Sequence, residues 1–303
     1  MENHPTLTKQ KQRSHNCERS ADCDLSESTR SLTFQKKFPE RFFEMGVAEQ
    51  NMAGVAAGMA GCDKVPFISS YAVFSPGRNW DQIRVSICYS NLNVKIMGAH
   101  SGISVGPDGA THQALEDIAI TRVLPNLLVL SPCDVHEARR AVLAAAEYKG
   151  PVYIRFTREK TPVITKPDAP FQIGKAYVLR EGSDVTIIGT GPLVYEALLA
   201  AEQLSKKGVE AEVINCPSIK PLDEKTILKS IQKTGGAVTI EEHQISGGLF
   251  GAISEFSAMN FPVPVLPVGM PNIFGESGAP DELLTKYGMR AKNIIAQVNK
   301  ILK

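Results

Sequence analysis

Glu49 stands in Gly46-Val47-Ala48-Glu49-Gln50-Asn51, a carboxylate within a run of small and apolar residues that continues from Met52 to Ala60. A helix so poor in bulk packs its backbone closely against a neighbour, and a carboxyl carried on it loses water. Desolvation favours the neutral acid, which donates a hydrogen bond at pH 7. Equally, Glu49 beside Gln50 and Asn51 reads as the polar first turn of a helix, where a carboxylate meets the positive end of the dipole. About sixty residues downstream comes Asp108-Gly109-Ala110-Thr111-His112-Gln113. Two of the six histidines, His100 and His112, lie close together in this glycine-rich region beside Asp108. Imidazoles exchange protons with hydroxyls near neutrality, and buried ones need partners, so the cluster is better suited to a polar substrate than to core packing.

These stretches, with the aromatics Tyr71 and Phe74 and the segment Trp80-Asp81-Gln82-Ile83-Arg84, resemble transketolase, specifically its second half. The resemblance runs from about Asp24 to the C-terminus, in order and without large gaps. It implies an enzyme that moves a two-carbon ketol unit from a ketose phosphate to an aldose phosphate with thiamine diphosphate. On that resemblance Glu49 bonds a ring nitrogen of the aminopyrimidine and stabilises its imino tautomer, while Tyr71 and Phe74 stack on the ring. Asp24 matches an aspartate near the cofactor. His100 and His112 line the sugar channel as catalytic groups, and Asp108 reads a substrate hydroxyl. Arg158 and Ser28 match residues at the sugar phosphate, a task suited to guanidinium geometry. Arg155 is an equal candidate for the phosphate, and Glu27 is an odd neighbour for an anion.

Relatives of this kind hold the magnesium diphosphate with a Gly-Asp-Gly motif and a downstream Asn on their first half. No Gly-Asp-Gly occurs in this chain. The resemblance therefore implies half of an enzyme. Mg2+ falls to an N-terminal-half partner subunit, thiamine diphosphate is shared between the chains, this chain supplies no metal ligand, and the assembly is a heterotetramer with two of each chain.

The elements that must position these residues follow from periodicity. Val65–Ser69, Val94–Gly98, Leu127–Ser131 and Val152–Phe156 read as buried strands, with helical spacing over Pro76–Ser90, Thr111–Val123 and Asp134–Glu147. Asp134 followed by Glu137 reads as a helix start. Thr161–Gly174, with Pro162, Pro167 and Pro170, reads as a linker. Beyond it, strands are expected at Val185–Gly189, Glu212–Asn215, Ala237–Glu241 and Val263–Val268. Helices are expected at Leu193–Lys207, Asp223–Thr234, Gly248–Met259, Asp281–Tyr287 and Asn293–Leu302. The fold class is α/β, two parallel-sheet domains. The resemblance makes them a pyrimidine-binding domain over residues 24–160 and a transketolase C-terminal domain over 176–303, with a poorly ordered tail over 1–23 and the linker at 161–175. Relatives begin with a helix and an apolar strand ending at the Asp24 position. Cys17–Cys23 is too polar to be that strand, so strand and helix are expected to be missing or supplied by another chain.

Two glycine turns invite a ligand. Gly189-Thr190-Gly191-Pro192 lacks the third glycine and the acidic partner of a dinucleotide fingerprint. Gly247-Gly248 exposes helix N-terminal amides, but close helix-to-sheet packing is the simpler reading.

At 303 residues, 43% hydrophobic and 21% charged, the composition is that of a soluble globular protein, and a net charge of +1 gives no reason to expect nucleic acid or an acidic membrane. No apolar run is long enough to span a bilayer, and the first twenty residues hold only Met1 and Leu7 as large aliphatics, which argues against a secretory signal. Six cysteines without a Cys-x-x-Cys pair fit reduced thiols in the cytoplasm, and His15, Cys17 and Cys23 lack the spacing of a zinc site. Three competing readings remain: the beta subunit of a 2-oxo-acid dehydrogenase first component, a deoxyxylulose-phosphate synthase-like half, and a non-catalytic transketolase-like partner subunit.

Overall fold

The computed structural model describes residues 18–303; His15, Cys17 and the expected tail up to residue 17 lie outside the described residues. The first correction falls at their edge. Residues 18–22 belong to no tail: β1 (Glu18–Asp22) runs in the interior of the first sheet, parallel to β2 (Phe42–Glu44) on one side and β3 (Val65–Tyr71) on the other. The segment qualifies despite its polarity because its buried side chains are small or hydrogen-bonded. Ala21 joins the core, and the Asp22 carboxylate accepts from the Leu25 amide and the Thr29 and Ser31 hydroxyls at 2.7–3.0 Å. Burial raises the Asp22 pKa, and those three donors oppose the rise.

The first sheet has the order β10-β5-β6-β4-β3-β1-β2, with β10 (Ser218–Lys220) at one edge. It adds β4 (Lys95–Ala99), β5 (Leu128–Leu130) and β6 (Val152–Arg155), all parallel, with α1 (Leu32–Lys37), α2 (Glu49–Gly61), α4 (Asp117–Arg122) and α5 (Val135–Glu147) in the crossovers. Between β3 and β4, the expected helix is a single turn, Trp80–Gln82 (α3), continuing as a π-helix over Ile83–Tyr89. The helix start at Asp134 is as expected, its carboxylate accepting from the Glu137 amide. α2 packs through Met52, Ala53, Ala56 and Ala57, with Ile83 and Ile87 of the π-helix in the same cluster.

The second sheet, β12-β11-β8-β9-β7, comprises β7 (Tyr177–Arg180), β8 (Val185–Gly189), β9 (Ala211–Asn215), β11 (Ala237–Gln244) and β12 (Val265–Met270). It is parallel except for β7 at one edge. Alternating strand residues feed two cores. Ile187 meets α6 (Val194–Ser205), α9 (Pro280–Lys286) and α10 (Ala291–Ile301), whereas Ile188 meets α7 (Glu224–Thr234) and α8 (Leu249–Asn260). The expected architecture of two α/β domains is therefore present, with antiparallel edge strands added.

One of those edges crosses between the two halves. β10 (Ser218–Lys220), from the C-terminal half, pairs antiparallel with β5 of the first sheet. The Lys220 ammonium caps the carbonyls of Arg122 and Leu124 at the end of α4. Among the described residues, no helix is long and apolar enough to cross a membrane.

Candidate functional site

The C-terminal ends of β1, β2, β3, β4 and β6 deliver the residues singled out in the sequence, as expected for the crevice of a parallel α/β sheet. Glu49 is the first residue of α2 and is 2% exposed, so both expectations hold together: it lies in the first turn and is buried. What the sequence did not reveal is its partner. Arg78 Nη1 donates to Glu49 Oε2 at 2.8 Å, and the same guanidinium lies 4.5 Å from the Phe74 ring centroid. The turn that carries Arg78 is tightly wound. A Cβ on Gly77 would stand 2.0 Å from the Val73 carbonyl, and buried Asn79 donates to both the Glu49 carbonyl and the Ser75 hydroxyl.

Tyr71 ends β3, and Phe74 follows in the turn. Their rings lie 6.1 Å apart and within 6° of parallel. His100 stacks on Tyr71 at 4.2 Å and 12°, while His112 presents an edge to both rings, at 5.4 Å from Phe74 and 6.1 Å from Tyr71. Burial, reinforced by the nearby Arg158 charge, brings the His100 pKa down to about 4, so the ring is neutral at pH 7. Thr111 Oγ1 lies 2.9 Å from His112 Nδ1.

His100 also lines a cavity of about 1180 Å³ together with Ser28, Arg30, Arg158, Lys160 and Met97. Arg158 is 39% exposed and reaches the Val105 carbonyl and Asp108 at 3.1 and 3.2 Å. Arg155 is not available to an anion. It is 2% exposed, with Nε on Asp117 at 2.8 Å and Nη2 on the carbonyls of Ala114 and Glu242. Between the two candidates, only Arg158 faces the cavity. Glu27 lines the same cavity, so the acidic neighbour does face it. Asp24 is exposed, and its amide donates to Glu44 Oε1 at 2.7 Å. Asp24, Arg30 and His100 all have left-handed backbone, with φ of 58°, 67° and 54°. Such strain costs about 1–3 kcal/mol per residue and clusters at functional sites.

The arrangement offers a slot walled by near-parallel aromatic rings with a buried carboxylate beside it. The adjoining cavity is lined by the neutral His100 imidazole and the Arg158 guanidinium. The faces of such rings suit stacking by a flat heteroaromatic group, and the cationic lining of the cavity suits a polar molecule ending in an anion. Tyr71, Phe74 and Glu49 are the residues that would hold an aminopyrimidine. The glycine turn at Gly247-Gly248 has a different role: the amides of Leu249 and Phe250 donate to the Glu241 carboxylate, so the helix N-terminus is filled from within the chain.

The transketolase pyrimidine-binding domain model matches residues 19–163, and the transketolase C-terminal domain model matches residues 174–294. A putative transketolase C-terminal section from Methanocaldococcus jannaschii is 47% identical over 93% of this chain and 89% of its own length. The 6-deoxy-6-sulfo-D-fructose transketolase subunit SqwH of a Clostridium species is 42% identical over 92% of this chain and 87% of its own. A solved structure described as a split gene transketolase, inactive beta4 tetramer, superposes with a TM-score of 0.89 at 46% identity, covering 97% of this chain and 94% of that one. With family models matching both domains, the chain belongs to the transketolase family and corresponds to its C-terminal section.

Proposed function

We propose that this chain is the C-terminal subunit of a two-chain transketolase, transferring a two-carbon ketol unit between sugar phosphates. The observation that carries the reading is the buried Glu49 carboxylate, tied through Arg78 to the Phe74 ring that lies parallel to Tyr71. Thiamine diphosphate, when bound, supplies the nucleophilic carbon that carries the two-carbon unit. Arg78 holds Glu49 Oε2, so Oε1 is the oxygen offered to a ring nitrogen of the pyrimidine. Tyr71 and Phe74 fix the plane of that ring. His100, neutral at pH 7, and His112 accept and return the protons of substrate hydroxyls. Asp108 orients a hydroxyl of the sugar chain, and Ser28 and Arg158 take its terminal anion. Asp24 lies at the cofactor side of the loop after β1. Mg2+ and the diphosphate are held by the N-terminal-half subunit, since this chain contains no Gly-Asp-Gly. The assembly contains two of each chain and works in the cytoplasm.

The similar chain described as an inactive beta4 tetramer supports dependence on a second chain. The relative named for a sulfonated ketose widens the donor panel to tetrahedral anions in general. The test is reconstitution with an N-terminal-half chain carrying Gly-Asp-Gly, assayed for ketol transfer from phosphorylated and sulfonated ketoses and for 2-oxo-acid decarboxylation. Turnover requiring both chains and thiamine diphosphate is expected. Turnover by this chain alone overturns the reading, as does a complex that binds the cofactor yet converts no ketose.

A further inference from the structure

The loop from Gly102 to Leu115 carries Asp108 and His112 and is encoded in the first domain, yet the second domain holds it. Ile103 and Leu115 are buried in the second domain's core with Met270 and Leu283. Gln113 Nε2 donates to the Glu276 carbonyl at 2.9 Å, and the Gln244 amide donates to the Leu115 carbonyl at 2.9 Å. At the start of the loop, Ser104 N–H donates to Glu242 Oε1 at 2.6 Å. Glu242 is 1% exposed, and its backbone carbonyl accepts from Arg155. Gly102, at φ 83°, passes so close that a Cβ there would lie 2.3 Å from the same carboxylate oxygen. No other contact between the second domain and this loop brings a side-chain carboxylate onto a loop amide among the described residues.

We propose that Glu242, on β11 of the second domain, is a positioning residue that sets the loop bearing Asp108 and so fixes the acidic partner of the cavity-lining Arg158. Arg158 contacts this loop twice, at the Val105 carbonyl and at Asp108, so a displacement starting at Ser104 moves both contacts. A loop held this way stays rigid only while the acceptor is in place, because a buried amide without an acceptor loses a full hydrogen bond. The acceptor matters, not the charge.

The consequence for catalysis rests on the function proposed above, so the test has two arms. In the first, amide hydrogen exchange is measured on the full chain alone for Glu242→Gln, Glu242→Asp and Glu242→Ala. Ser104 and its loop neighbours are expected to exchange at least tenfold faster in Glu242→Ala and Glu242→Asp, where the acceptor is absent or retracted. Glu242→Gln, which keeps an oxygen at the same reach, is expected to match the parent within about threefold. In the second arm, the complex with an N-terminal-half chain is assayed with a pentulose phosphate donor. KM is expected to rise at least tenfold in the Ala and Asp variants, and Glu242→Gln to restore KM. Should Glu242→Ala fail to fold, Glu242→Asp carries both arms. Unchanged exchange in Glu242→Asp overturns the proposal. So does a loss of kcat without a change in KM, or a Glu242→Gln variant as impaired as Glu242→Asp. If the parent complex turns over no ketose at all, the proposed function fails, and the loop assignment is judged on exchange alone.

Discussion

Arg155 and Arg158 are three residues apart, carry the same charge and should fail in opposite ways when replaced by methionine. Arg155 is enclosed with Asp117, itself 1% exposed, and gives hydrogen bonds to Asp117, Ala114 and Glu242. Without it, the Asp117 carboxylate keeps only the Tyr153 hydroxyl, at 2.6 Å on Oδ2, while Oδ1 has no partner already. Removing one member of a buried ion pair costs about 3–5 kcal/mol because the remaining charge is left uncompensated. The absence of a second donor on Asp117 places Arg155→Met toward the upper end, about 4 kcal/mol. Arg158 is 39% exposed, and its contact with Asp108 is solvated, so Arg158→Met should cost at most about 1 kcal/mol of stability. Its loss should appear in substrate affinity. Charge-assisted hydrogen bonds contribute about 1.5–3 kcal/mol, which at about 1.4 kcal/mol per decade raises KM for a phosphorylated ketose roughly 10- to 150-fold. Urea unfolding of the isolated chain and steady-state kinetics of the reconstituted complex measure the two quantities. If Arg155→Met unfolds within about 1 kcal/mol of the parent while raising KM as Arg158→Met does, the assignment of the two arginines is wrong.

Other substitutions probe the remaining links. Glu49→Ala should lower turnover of the complex by at least ~10²-fold, the lower range for a proton-transfer group, with cofactor-dependent assembly retained; near-parental rates would remove Glu49 from its role. Gly248→Ala places a Cβ 2.0 Å from Glu241 Oε2, whose carboxylate serves two helix amides, and should lower stability by about 1–3 kcal/mol in thermal or urea unfolding. His100 has its folded pKa lowered to about 4 from 6.5, so the unfolded chain takes up the proton first as pH falls. Its contribution to stability is complete above pH 6.5 and is lost between about 6.5 and 4. Accordingly, the stability difference between the parent and His100→Gln should shrink across that window by more than about 1 kcal/mol, after discounting the shift for solvent access. A difference independent of pH between 7 and 4 would contradict the buried, neutral imidazole.

Most of the regular elements were legible because buried parallel strands are continuous β-branched runs: Val185–Gly189 has the same bounds in sequence and structure. β1 was not, because its place in the sheet depends on hydrogen bonding rather than on apolar bulk. Asp22 is buried by its bonds to a loop that begins three residues later, a partnership no periodicity reveals. β10 escaped notice for a related reason. Three residues between Pro217 and Pro221 carry no pattern, and their strand partner lies in the other half of the chain. In the site, Tyr71, Phe74, His100 and His112 do converge. Arg78 was invisible as a partner of Glu49 because the pairing depends on the tight turn at Gly77. Arg155 and Arg158 could not be ranked from sequence, since both follow or end a strand and only burial separates them.

The three-residue crossing of β10 changes what a cut in the connecting segment would do. A protease that nicks the chain between residues 161 and 175 severs one covalent link, but the fragments remain stitched by the strand on β5 and by the Lys220 cap on α4. Nicked protein should therefore co-migrate as one particle under native conditions. A gene truncated near residue 175 behaves differently. It leaves β5 as a bare sheet margin, inviting pairing with any other extended chain. Expression of the first half by itself is then a problem of solubility before it is one of activity.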